Sequence, residues 1–192
     1  RQEDGDNVPW HWHDELEVIN IEKGQMTAKV PSQTFSLKQG DILVINGNTL
    51  HYAVAAPECD LRSFVFSPAL VTGSGDSAMP KVHPAPPYLP FFSAFYSDSD
   101  FDDTMARYFR TAFTALAQES FGFEFTVREA LSQICLFLTA GYSLATTAEA
   151  VPSLDEERIK KMLTYIHGHF DEPITVSDIA GAAAISQREC LR

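Results

Sequence analysis

Short apolar runs dominate the first third of the chain, and polar or turn-forming residues separate nearly all of them. Residues 16–21 are rich in β-branched side chains, and residues 26–30 alternate apolar and polar positions, as in a strand with one buried face. Similar runs follow at residues 34–37, 42–45, 50–55 and 61–66. This spacing predicts a β-sandwich or barrel, and an antiparallel barrel without any functional site already explains most of the pattern.

Two segments without apolar periodicity connect these runs to each other and to the rest of the chain. The Asn-Gly-Asn sequence at residues 46–48 supplies the positive φ that a tight turn needs, so we expect a hairpin there. Residues 71–90 are rich in Gly, Ser and Pro, so we expect no regular element in them. We interpret residues 71–98 as a long surface loop, either a lid over the barrel or a connector.

The apolar period then changes from two to about 3.6 residues, which predicts a pair of antiparallel helices within residues 99–148. The stripe of the first helix is Met105, Tyr108, Phe109, Ala112, Phe113 and Leu116. The stripe of the second helix is Leu131, Ile134, Cys135 and Leu138. A capping box of Thr126 with Glu129 predicts where the second helix begins, and Gly141 predicts where it ends.

The second helix also carries Leu136 and Phe137, so its apolar surface is wider than one partner helix covers. Two explanations remain open. The extra surface forms a subunit interface, or the barrel and the loop cover it.

Residues 153–192 contain three further capping boxes. They are Ser153 with Glu156, Thr175 with Asp178, and Ser186 with Glu189. They predict one longer helix and then two short helices joined at Ala184-Ile185, which is the arrangement of a helix-turn-helix.

The composition is that of an ordinary soluble globular protein, with 192 residues, 45% hydrophobic and 21% charged. The three cysteines include no C-x-x-C pair, so we expect neither a disulfide framework nor a zinc ribbon, and a reducing, cytoplasmic setting fits best. No apolar run is long enough to span a bilayer, so we expect no membrane partner. The net charge of -12 makes most of the surface repel a phosphate backbone.

The most informative polar residues are His11, His13 and Glu17, which belong to the pattern G-x5-H-x-H-x3-E-x6-G; His51 follows in a second cluster. The first three have odd numbers and would face the same side of a regular strand. A continuous strand would separate residues 13 and 17 by about 13 Å, too far for a shared metal ion. Sharing an ion would therefore require a corner at Asp14-Glu15.

These two clusters resemble the motifs of the cupin family, in which histidines and a glutamate converge inside a small β-barrel. The resemblance implies that His11, His13, Glu17 and His51 meet at one point. Such a set can bind a divalent transition metal such as Zn, Mn, Fe or Ni. The second cluster departs from the family pattern at Asn46, Asn48 and Ala55, however. We therefore interpret the four side chains as polar contacts in a ligand pocket without a cofactor, and keep a metal as the alternative.

The last part of the chain resembles the beginning of the AraC-family DNA-binding domain, in the segments RIKKMLTYI, ITVSDIA and ISQRECLR. The whole chain then has the layout of that family, a mainly β plus α fold with a cupin-like (jelly-roll) β-barrel, an antiparallel helical pair and a partial helix-turn-helix domain. The expected boundaries are 1–70 for the barrel, 71–98 for the loop, 99–148 for the helical pair and 153–192 for the incomplete helix-turn-helix domain.

The resemblance implies a ligand-sensing and dimerising portion of a transcription regulator, a homodimer that responds to a small-molecule effector. Gln187 and Arg188 match the first turn of a recognition helix, which reaches base edges in the complete protein. Because the chain ends inside that helix, we expect DNA to be bound through the complete C-terminal domain and not through this fragment alone. The alternative is a metal-dependent cupin enzyme, of dioxygenase or isomerase type; the regulator-like tail favours a protein that is not an enzyme.

Overall fold

The computed structural model describes residues 7–31, 33–67, 69–72, 92–95, 103–143 and 154–191. The strands in these ranges are β1 (Asn7–His11), β2 (Leu16–Lys23), β3 (Gln25–Val30), β4 (Gln33–Lys38), β5 (Ile42–Ile45), β6 (His51–Ala55), β7 (Asp60–Phe66) and β8 (Phe92–Phe95). The helices are α1 (Ala69–Thr72), α2 (Thr104–Gln118), α3 (Phe123–Ser143), α4 (Leu154–Gly168), α5 (Val176–Ala182) and α6 (Gln187–Cys190). The chain divides into two compact units, Arg1–Glu149 and Ala150–Arg192.

The strands of the first unit form two four-stranded antiparallel sheets. Sheet A has the order β1-β6-β3-β4, and sheet B has the order β7-β2-β5-β8. Alternate side chains of β2 and β5 pack against those of β3 and β4 in a shared apolar core. This core consists of Ile19, Ile21, Met26, Ala28, Phe35, Leu37, Leu43 and Ile45. Together with the helices that follow, the two packed sheets confirm the mainly β plus α fold.

Strand β8 lies inside residues 71–98, so the assignment of that whole segment to a loop is wrong. Phe92–Phe95 pairs with β5 and completes sheet B, while residues 73–91 lie outside the described residues. The reason for the strand is that β5 has backbone hydrogen-bonding groups on the side that faces away from β2, and these need partners.

The Asn-Gly-Asn segment at residues 46–48 does not form the expected hairpin. The strands on its two sides, β5 and β6, belong to different sheets, so the segment carries the chain from sheet B to sheet A. The positive φ in this segment is at Asn48, at 62°.

Helices α2 and α3 form the expected antiparallel pair and cover the outer face of sheet B. Phe64 of β7 contacts Phe109 and Phe113 of α2 edge to face, with ring centroids 5.2 and 5.6 Å apart. The predicted apolar stripes supply most of the buried helix residues, which are Met105, Phe109, Ala112, Ala130, Leu131, Ile134 and Leu138. No helix in the described ranges has the length and apolar character needed to cross a membrane.

The predicted ends of α3 are wrong. The helix begins at Phe123, three residues before Thr126, and it continues through Gly141 to Ser143. The turn before it is made by two residues with positive φ, Glu119 at 47° and Gly122 at 80°. The Thr126 and Glu129 pair therefore lies within the helix and caps nothing.

The second unit contains α4 and the two short helices of the expected helix-turn-helix. The side chain of Thr175 caps α5 and that of Ser186 caps α6, each in a reciprocal capping box. The buried residues Ala180 and Ala183 have small side chains, which lets these helices approach closely. Ser153 of the remaining predicted box lies outside the described residues.

Candidate functional site

Three histidines from sheet A and the segment beside it converge near its edge. His11 ends β1 and is the cross-strand partner of His51, which begins β6, and their ring centroids are 4.0 Å apart. The ring of His13 lies 5.8 Å from that of His11 and 5.3 Å from that of His51. The cluster that the sequence predicts is therefore present in the structure.

The position of His13 depends on a contact between two loops. The chain bends at Asp14-Glu15, as the distance argument predicts, and passes from sheet A to sheet B. The amide of Asn48 donates a 2.7 Å hydrogen bond to the carbonyl of His13. A Cβ atom added to Gly47 would lie 2.4 Å from the carbonyl oxygen of Asp14, so only glycine allows this approach.

Each imidazole ring is oriented by a backbone carbonyl through its Nδ1 atom. The Nδ1 distances are 2.8 Å from His11 to the oxygen of Pro9, 3.0 Å from His13 to that of Glu15, and 2.7 Å from His51 to that of Thr49. Because a carbonyl oxygen can only accept, each Nδ1 is the protonated nitrogen. In a neutral ring, Nε2 then presents a lone pair toward a ligand.

Glu17 supplies the carboxylate of the cluster from β2 of sheet B. Its Oε1 accepts a 2.7 Å hydrogen bond from the Ser63 hydroxyl, and its Oε2 lies 3.4 Å from Nε2 of His13 and 3.5 Å from Nε2 of His51. Burial by itself raises the pKa of the Glu17 carboxyl, but the interactions with His51, Ser63 and His13 outweigh it and keep that pKa below its ordinary value.

Sequence reasoning missed Ser63, which fixes the orientation of this carboxylate. The signal was available in the alternation of β7, because Phe64 and Phe66 face the helices and Ser63, directly before Phe64, therefore faces the other side. Ser63 pairs with Ile19, two residues from Glu17 on the same face of β2. A single inward-facing hydroxyl among apolar neighbours marks a polar contact in the interior.

His51 is the most deeply buried member of the cluster, with 2% of its surface exposed. Its Nε2 atom is buried and has no hydrogen-bond partner among the described residues, although it lies 3.5 Å from Oε2 of Glu17. A buried polar atom without a partner costs about 1–3 kcal/mol, so such atoms are uncommon unless something else binds there.

The donor atoms fit a divalent transition metal. The ligand atoms of His11, His13 and His51 all lie within 4.8 Å of one another, and Glu17 Oε2 adjoins two of them. Metal–ligand bonds of about 2.0–2.2 Å place neighbouring donors of a tetrahedral site on the order of 3.4 Å apart. Burial lowers the pKa of His11 despite the opposing hydrogen bond to Pro9, which favours the neutral, ligating form of the ring.

The two predicted DNA-contacting residues lie in the second unit. Gln187 and Arg188 are exposed at the start of α6, directly after the capping Ser186. The members of the histidine cluster all belong to the first unit.

A family model described as the AraC-like ligand binding domain matches residues 1–135. Two curated relatives are the uncharacterized HTH-type transcriptional regulators YdeC and YbfI of Bacillus subtilis (strain 168). YdeC is 27% identical over 194 residues and YbfI is 26% identical over 199 residues. Each alignment covers 96% of this chain and 64% of the relative, so the chain spans less than two thirds of their length.

Two solved structures are similar to parts or all of the chain. The apo form of ToxT from Vibrio cholerae strain SCE256 has 8% identity and a TM-score of 0.51, over 96% of this chain and 68% of that one. A cupin-2 domain containing protein from Shewanella frigidimarina NCIMB 400 has 27% identity and a TM-score of 0.30, over 31% of this chain and 59% of that one. The likeness to ToxT concerns the fold alone. Because the family model matches most of this chain, residues 1–135, the chain belongs to the family of AraC-like ligand binding domains.

Proposed function

We propose that this chain is the ligand-sensing and dimerisation portion of an AraC-family transcriptional regulator that responds to a small-molecule effector. One observation carries the proposal. The match to the AraC-like ligand binding domain and a doubly capped helix-turn-helix occur on the same chain, in two separate units. An effector bound in the first unit changes how two DNA-binding domains are placed in a homodimer. A protein that acts on DNA in this way works in the cytoplasm.

The histidine cluster is the proposed effector contact. Its Nε2 atoms and Glu17 Oε2 are all hydrogen-bond acceptors when the rings are neutral, and two of the nitrogens face the carboxylate at 3.4 and 3.5 Å. The 3.4 Å pair of His13 Nε2 with Glu17 Oε2 is a hydrogen bond only when that nitrogen carries a proton; with neutral rings protonated at Nδ1, both atoms accept and a donor has to lie between them. A complementary effector therefore carries hydroxyl or ammonium groups, which donate to His13, His51 and Glu17 together.

A thermal-shift screen of hydroxyl- and amine-bearing metabolites tests this assignment, because a ligand of the folded state raises its melting temperature. We expect an active compound to lose its effect in His13→Ala and to keep it in His167→Ala, a matched change at an exposed histidine of α4. The same compound should change the affinity of the full-length regulator for its operator. A compound that binds the cluster and leaves operator binding unchanged would contradict the regulatory role.

A divalent transition metal is the second candidate occupant, and the unpartnered Nε2 of His51 favours it. His11, His13, His51 and Glu17 would hold the ion. When bound, such an ion supplies open coordination positions for an oxygen-bearing effector. Metal analysis of protein purified without added metal should then give about one ion per chain, with the ion lost in His13→Ala and retained in His167→Ala.

The competing function is that of a metal-dependent cupin enzyme. The tail of the chain favours the regulator, because a free-standing enzyme has no use for a helix-turn-helix. Stoichiometric metal together with catalysed turnover by the purified chain, both abolished in His13→Ala, would establish the enzyme instead.

A further inference from the structure

A second recess lies on the helical pair and is separate from the histidine cluster. It is an open surface groove of about 500 Å³ between the later turns of α2 and the start of α3. No histidine lines it. Its volume is within the range of small-molecule sites, roughly 300–1,000 Å³.

Two arginines give this groove a positive charge. Arg107 and Arg110 line it from α2, both are exposed, and neither forms an ion pair with any residue that the structure describes. The guanidinium of Arg107 lies 5.2 Å from the ring of Tyr108. Two unpaired arginines three positions apart on a helix repel each other. The protein has a net charge of -12, yet no described acidic side chain pairs with either arginine. An anion placed between them removes the repulsion.

Two aromatic residues line the same groove. Phe121 is fully exposed in the turn before α3, and Phe123 is half-buried at the beginning of that helix. Thr114 also lines the groove. The neighbouring Thr111 is less available as a donor because its hydroxyl donates a 2.9 Å bond to the carbonyl of Arg107. The groove thus combines guanidinium donors with an uncovered aromatic ring.

We propose that this groove binds a small aromatic carboxylate. The carboxylate accepts hydrogen bonds from Arg107 and Arg110, for which the planar guanidinium is suited, and the ring of the ligand packs against Phe121. Binding there fixes α2 and α3 to each other at their connection. The site needs nothing from the histidine cluster and does not depend on the effector proposed above.

Isothermal titration of the whole chain with 2-naphthoate tests the proposal. We expect binding that weakens about tenfold or more in Arg107→Ala and in Arg110→Ala, the size of a lost charge-assisted hydrogen bond. Arg128→Ala is the matched control, because Arg128 is an exposed arginine of α3 outside the groove. This variant should bind 2-naphthoate with the affinity of the unchanged protein. The uncharged 2-naphthamide should bind at least tenfold more weakly than 2-naphthoate.

Two further variants identify the location. Phe121→Ala should weaken 2-naphthoate binding, and His13→Ala should leave it unchanged. Tryptophan fluorescence of each variant, compared with the unchanged protein, verifies that it is folded. Equal weakening in Arg107→Ala and Arg128→Ala, loss of binding in His13→Ala, equal affinity for the amide, or no binding at millimolar 2-naphthoate would each overturn the proposal.

Discussion

Gly47 shows how one residue without a side chain controls the histidine cluster. Its Cα lies so close to the Asp14 corner that an added Cβ would be 2.4 Å from a backbone oxygen, and backbone cannot move aside cheaply. The same contact supports the hydrogen bond from Asn48 to His13. The close approach at Gly47 therefore helps to hold His13 in the cluster.

We expect Gly47→Ala to lower the free energy of unfolding of the first unit by about 1–3 kcal/mol, the usual cost of overpacking. Urea unfolding followed by tryptophan fluorescence measures this, because both tryptophans, Trp10 and Trp12, precede the Asp14 corner. Gly181→Ala is the control, since nothing lies within 4 Å of the added Cβ in α5, and the tryptophan signal should not change. An unchanged midpoint in Gly47→Ala would show that the corner can relax.

At the scale of helices and strands, a capping-box sequence caps a helix only where the backbone beside it has the conformation of a helix start. Thr175 and Thr126 both begin an apparent capping box, and only the first caps a helix. The actual start of α3 is set by the positive φ of Gly122, which the motif does not encode. Strand β8 was not predictable for a related reason, because its existence depends on pairing with β5.

Thr175→Ala should increase the amide exchange rates of α5 about fivefold, because it removes the N-cap and with it the hydrogen bond to the amide of Asp178. Thr126→Ala is the matched change inside α3, where alanine is the better helix former, and exchange there should stay the same or slow. Hydrogen-exchange mass spectrometry follows both helices in one experiment. Faster exchange of α3 in Thr126→Ala would contradict the structure, in which Thr126 lies within α3 and does not cap it.

For the whole molecule, the sequence predicts the order of parts and the members of the cluster, but not how the cluster is supported. Alternation places His11, His13 and Glu17 on one face of a strand, and the resemblance to the cupin motifs adds His51 and implies that the four meet. The hydroxyl of Ser63 and the unpartnered Nε2 of His51 depend on strand register and on burial, which arise only when both sheets have packed.

The histidine cluster and the Ser63 side chain that supports it lie within Arg1–Glu149, which is one compact unit. A polypeptide of residues 1–149 should therefore fold alone and retain the cluster, because no described contact of its members comes from Ala150–Arg192. We expect its tryptophan-detected urea midpoint to match that of the 192-residue chain, and its metal content or effector binding to be equal. A lower midpoint would contradict the independent folding of residues 1–149.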